Sequence, residues 1–108
     1  MEYLNDEFIT FEIREIKNGV KLIYFELKRE LEPEDLKNIN PPDPVKNKFS
    51  KDIVVLSGRG PIWLYGFLIH FFHPVKALAI FDPRIDSAVV IESHSKELKI
   101  GDLIKLED

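Results

Sequence analysis

The chain has no cysteine, so neither a disulfide staple nor a thiolate metal site is open to its 108 residues. Imidazoles are scarce as well. The three histidines, His70, His73 and His94, confine any histidine chemistry to the last part of the chain. No apolar run approaches the roughly 20 residues of a membrane span. The longest, from Pro61 to Phe72, carries His70 near its end and reads as a core helix. Positive charge is in deficit: 15 Lys and Arg stand against 19 Asp and Glu, a net charge of −4. Tracking a long polyanion runs on many Lys/Arg–phosphate contacts, which this balance disfavours. A short anion of fixed shape, held by a few well-placed groups, stays open. The segment Met1-Glu2-Tyr3-Leu4-Asn5-Asp6-Glu7 is acidic and lacks the basic-then-apolar pattern of a secretory signal. A cytoplasmic protein with no membrane partner is expected. With no internal repeat or low-complexity stretch, residues 1–108 are read as a single domain.

What is present begins with a hairpin. Residues 8–16 place Ile9, Phe11 and Ile13 on one face and Thr10, Glu12 and Arg14 on the other. Asn18-Gly19 suits a tight turn, and Val20 to Leu27 returns with Ile23, Phe25 and Leu27 on one face. Pro33-Glu34-Asp35-Leu36 opens a short helix ending near Asn38, with acids in its first turn. Asn40-Pro41-Pro42-Asp43-Pro44 continues neither helix nor central strand, and with the polar residues to Lys51 forms a loop. Ile53 to Leu56 is a buried strand, Ser57-Gly58-Arg59-Gly60 a turn, and Pro61 to about Phe72 a helix. Strands follow over Val75–Phe81 and Ser87–His94, with a short last one over Leu103–Leu106. The strand–helix–strand run over 53–81 requires a right-handed crossover between parallel strands, whereas the flanking hairpins are antiparallel. The expected fold is α+β, a mixed β-sheet with two helices on one face and a relation to the ferredoxin-like plan.

Three places can carry chemistry. Ser57-Gly58-Arg59-Gly60-Pro61 lies between a strand and a helix whose first-turn N–H groups lack intrahelical partners, a setting that suits an anion. Its glycines admit close approach to the main chain, and Arg59 offers a two-pronged donor. The plainer reading is a glycine turn with Arg59 in solvent. The loop lacks the Gly-Lys-Ser/Thr of a Walker loop, and Trp63 stands where a dinucleotide fingerprint needs its third glycine. The second place is the histidine set. Trp63, Phe67 and His70 share a helical stripe, so Trp63 and His70 are read as core, whereas His73, beside Pro74, reaches solvent or ligand. The third is Asp82-Pro83-Arg84 at the carboxyl end of a strand, where Asp82 offers a base or a hard oxygen and Arg84 a phosphate clamp. A turn with a surface ion pair is the bland alternative. Glu92 shares a strand face with His94 by the two-residue period.

Taken together, the runs Ser57-Gly58-Arg59-Gly60-Pro61-Ile62-Trp63-Leu64, His70-Phe71-Phe72-His73, Phe81-Asp82-Pro83-Arg84, Ser93-His94-Ser95 and Gly101-Asp102 resemble the Csx-three ring nucleases associated with CRISPR. The likeness covers about residues 53–104, and the N-terminal half agrees only in its hairpin-and-helix outline. The resemblance implies a manganese-dependent (Mn2+) phosphodiesterase that linearises cyclic tetra-adenylate, the messenger of type III CRISPR complexes. Action on the 3′ adenylate tails of RNA is also described for the family. It implies a homodimer that binds the ring through the glycine loop, with a second dimer covering the ligand and completing the site from its opposite face. By position, Ser57, Gly58, Arg59, Gly60 and Pro61 would hold phosphates. His73, Asp82 and Arg84 would be catalytic, and Asp82, His94 and His73 would bind metal. Pro74 departs from relatives that carry a further histidine there. Two other readings stay open: a sponge or sensor that holds the ring without turnover, and a manganese-dependent RNA 3′-exonuclease (deadenylase).

Overall fold

The computed structural model describes residues 2–5 and 7–106, the side chains of residues 2–5 excepted. One sheet carries seven strands in sequence order: β1 (Glu2–Asn5), β2 (Ile9–Lys17), β3 (Val20–Leu27), β4 (Ile53–Gly58), β5 (Ala77–Asp82), β6 (Ser87–Ser93) and β7 (Leu103–Ile104). The helix α1 (Ile62–Phe71) joins β4 to β5. β3, β4 and β5 run parallel, and every other neighbouring pair is antiparallel. The class is therefore the expected one, a mixed α+β sheet with its helical elements on one face. Its strand order is simpler than the split arrangement of the ferredoxin-like plan.

The hairpin forms where the alternation places it. Lys17 pairs with Val20 across Asn18-Gly19, and Gly19 sits at φ +82°. A bulge falls between Glu15 and Lys17, and Ile16 packs on the face opposite Ile9, Phe11 and Ile13, as the alternation places it. Strand β1, pairing Glu2 with Ile13 and Asn5 with Thr10, has no counterpart in the sequence-based reading, because four residues give too short a pattern. The helix expected from Pro33 is a 3₁₀ helix over Pro33–Asn38. Arg29 holds it: its guanidinium donates to Asp35 at 2.9 and 3.1 Å and lies 4.5 Å above the Phe8 ring. Ser57 and Gly58 are strand rather than turn, paired with Tyr24 and Phe25. Pro61 precedes α1 as its cap instead of sitting inside it.

The principal core lies on the helical face, where Phe11, Ile23, Phe25, Val54, Leu56 and Leu78 meet Leu64, Leu68 and Phe72. Both crossovers, 28–52 and α1, contribute to this cluster, as two right-handed connections between adjacent parallel strands must. The opposite face is barer. Val20, Val55, Ala79, Ala88 and Val90 form a small cluster there, and Tyr24 beside them is exposed.

Candidate functional site

The glycine loop takes its shape from Phe25. This residue pairs with Gly58 across β3 and β4, and Gly58 adopts φ +153°. A β-carbon at Gly58 would fall 2.5 Å from the Phe25 carbonyl oxygen and 2.8 Å from its ring. One at Gly60 would fall 2.9 Å from Leu64 Cδ2 and 3.2 Å from Phe25 Cε1. Packing thus requires the glycine at 58 before any ligand is considered, whereas at Gly60 the nearest atom is the end of a side chain, which can give. Beneath them the Tyr65 hydroxyl donates to the Gly58 carbonyl at 2.7 Å, and its ring meets Phe25 edge-on at 5.3 Å. Burial pushes the Tyr65 phenol up, so it stays a donor. The first helical bond runs from Leu64 N–H to the Pro61 carbonyl, so the N–H groups of Ile62 and Trp63 precede the helical ladder. Arg59 is exposed and has no ion pair or hydrogen bond among the described residues.

Asp82 closes β5 at the same end of the sheet. Its carboxylate accepts from the Arg84 backbone at 3.0 Å and from the guanidinium at 3.1 and 2.9 Å. These bonds hold the Asp82 carboxyl below its ordinary value and raise Arg84. Arg84 is 86% exposed, so the pair is weakly held and opens at little cost to an anionic ligand. A hollow of about 160 Å³ joins loop and turn, lined by Tyr24, Ser57, Gly58, Arg59, Phe81 and Pro83. This end therefore gathers the glycine loop, Arg59 and the Asp82–Arg84 pair.

The histidines lie at the other end. His94 follows β6, its N–H donating to the Lys76 carbonyl just before β5 begins. Its Nε2 lies 3.0 Å from the His73 carbonyl oxygen. The rings of His70 and His73 stack, with centroids 6.1 Å apart and planes at 14°. Six residues of extended chain separate Lys76 from Asp82, so the histidine end and the Asp82 end are about 20 Å apart. Glu92, expected to lie near His94, pairs with Leu78 beside a bulge, and its Oε1 is buried without a hydrogen-bond partner among the described residues.

Two expectations are corrected here. His70 is exposed, and Trp63 is 38% exposed; neither belongs to the core. The stripe through Trp63, Phe67 and His70 exists, but Leu64, Leu68 and Phe72 sit about 100° or more around the helix and take the sheet-facing side. The sequence reasoning also missed Tyr24, which its place on the outward face of β3 among Leu22 and Glu26 could have flagged.

The family model of the CRISPR-associated protein Cas_csx3 matches residues 24–105. The chain belongs to the Cas_csx3 family. The match takes in the loop, the Asp82 turn and all three histidines, so the site lies wholly within the Cas_csx3 region. A relative in Aquifex aeolicus (strain VF5), named "Uncharacterized protein", is 61% identical over 102 residues, covering 94% of this chain and 92% of its own. Membership of the Cas_csx3 family gives the chain a CRISPR-associated role. Among the described residues no helix is long and apolar enough to cross a membrane.

As a metal centre, the expected set does not fit within one chain. Among the described residues no three His, Asp or Glu side chains converge. His94 Nε2 is engaged by a carbonyl, and both Asp82 oxygens are engaged by Arg84, about 20 Å away along β5.

Proposed function

We propose that this Cas_csx3 protein is a ring nuclease that binds cyclic tetra-adenylate and cuts it to linear di-adenylate products, switching off type III CRISPR signalling in the cytoplasm. One observation carries the reading: Arg59, exposed and without a partner among the described residues, sits on a glycine loop at the start of α1 and shares a hollow with the Asp-Pro-Arg turn. A compact ring with about four negative charges needs only a few such donors, and two symmetry-related loops supply them without a basic surface. That agrees with a chain whose net charge is −4.

In this mechanism Ser57, Gly58, Arg59 and Gly60 seat the phosphates, with Pro61 fixing the turn into α1. The ribose 2′-oxygen attacks the neighbouring phosphorus as the bond to the 5′-oxygen breaks. The 2′-hydroxyl proton passes to a base, and the leaving 5′-oxygen takes up a proton, which yields a 2′,3′-cyclic phosphate and a 5′-hydroxyl. Arg84, released from Asp82, balances charge on the phosphoryl oxygens. His73 acts as acid or base, since imidazole exchanges protons near neutral pH. Because His73 and Asp82 lie at opposite ends of one chain, the reaction calls for two copies, the histidine end of one laid over the loop end of another. A homodimer holding the ring, capped by a second dimer, meets that need. Where copies meet, Asp82 of one with His73 and His94 of another would hold Mn2+, which would supply charge neutralisation at the phosphate.

Incubation with cyclic tetra-adenylate, with and without Mn2+, followed by chromatography of the products, tests the reading. Linear di-adenylates are expected, and faster with the metal. Tight binding with an intact ring would replace the enzyme with a sponge or sensor. Faster loss of linear 3′-adenylated RNA than of the ring would make it a 3′-exonuclease.

A further inference from the structure

Tyr24 and Phe81 flank Ser57 on the open face of the sheet. Tyr24 pairs with Ser57 across β3 and β4, and Phe81 lies one step beyond the Leu56–Ile80 pair of β4 and β5. The two aromatic residues therefore stand two strand spacings apart, about 9.6 Å backbone to backbone, with a small hydroxyl side chain between them. That separation admits one flat ring between two side chains that lean inward. Tyr24 is 41% exposed, and its ring and hydroxyl meet no partner among the described residues. It borders three hollows, of about 160, 230 and 230 Å³, and Arg59 borders two of them. An aromatic wall beside an exposed guanidinium matches a nucleotide, with its base on the ring and its phosphate on the cation.

Resting on the ring-nuclease reading, we propose that Tyr24 and Phe81 form a slot for one purine base per chain, and that Ser57 at its floor meets the base edge. Each base is then held by stacking, while its phosphate reaches the N–H groups at the start of α1 and Arg59. Two copies on one ring thus seat two bases. A purine is favoured over a pyrimidine because its larger π-face covers both walls.

The test has two arms. In the first, AMP and ribose 5-phosphate are titrated separately while the ring resonances of Tyr24 and Phe81 and the amide of Gly60 are followed by NMR. AMP is expected to shift both rings and the amide, and ribose 5-phosphate only the amide. In the second arm, affinity for cyclic tetra-adenylate is measured for Tyr24→Ala and Tyr24→Phe. The alanine variant, which loses the wall of both slots on one ring, is expected to bind about 30-fold or more weakly, and the phenylalanine variant within about two-fold of the native chain. Rings unmoved by AMP, or native affinity in Tyr24→Ala, overturn the slot even if the ring is cut. Shifted rings with an intact cyclic tetra-adenylate uphold the slot and overturn the nuclease reading alone.

Discussion

Replacing Gly58 by alanine tests whether Phe25 shapes the ligand loop. The added methyl would stand 2.5 Å from the Phe25 carbonyl oxygen and 2.8 Å from two ring carbons. The ring is fully buried and the oxygen is backbone, so neither yields as the tip of a flexible side chain would. Overpacking of this kind costs about 1–3 kcal/mol. The φ of +153° is disfavoured for any residue with a β-carbon and adds about 1–3 kcal/mol. A loss of about 2–5 kcal/mol is a large share of the roughly 5–15 kcal/mol that holds a domain of this size together. The thermal midpoint should fall by at least about 8 °C, read by circular dichroism. Gly66→Ala provides the control: no atom lies within 4 Å of its β-carbon, and the residue is an exposed position inside α1. That change should gain about 0.5–1 kcal/mol. Gly60→Ala should fall between, since its closest contact is the end of Leu64. If Gly58→Ala unfolds within about 0.5 kcal/mol of the native chain, Phe25 does not set the loop.

Two further predictions concern charge. Arg59→Ala should leave the thermal midpoint unchanged, because the side chain has no partner among the described residues. It should weaken cyclic tetra-adenylate binding about 10- to 100-fold by calorimetry, the worth of a charge-assisted hydrogen bond. The carboxyls of Asp35 and Asp82 are held below the ordinary range by Arg29 and Arg84. Their stabilising contribution is full above about pH 3.9, the unfolded aspartate value, and is lost as pH falls through the lowered folded values. Urea midpoints should therefore decline on acidification below that point, and Asp35→Asn should shallow the decline. An acid limb identical in both chains would refute the assignment.

Much of the fold was legible because alternation and turn chemistry act locally. Ile9, Phe11 and Ile13 on one face, with Asn18-Gly19 after them, specify a hairpin without reference to the rest of the chain. Helix α1 was harder to orient. Its apolar residues run all round, from the exposed Ile62 and Trp63 to the buried Leu64 and Leu68, so no polar stripe marks the outside. The misplacement of Trp63 and His70 follows from that. The candidate motifs were legible as residue types, but their relative positions were not. Asp82 and His94 are close in sequence, yet one lies at the tip of the β5–β6 hairpin and the other at its open end. Tyr24 stayed hidden because its value comes from Phe81, which the sheet brings near and the sequence keeps far.

That separation of ends means that variants lacking opposite ends should complement one another. His73→Ala and Asp82→Ala should each abolish cleavage of cyclic tetra-adenylate, since every site then lacks one group. Mixed in equal amounts and allowed to exchange, they assort at random, and about a quarter of the sites pair an intact Asp82 with an intact His73 from another copy. About a quarter of the native rate is expected in the mixture. A mixture no faster than either variant alone would mean that both groups act within one chain, contradicting the shared site.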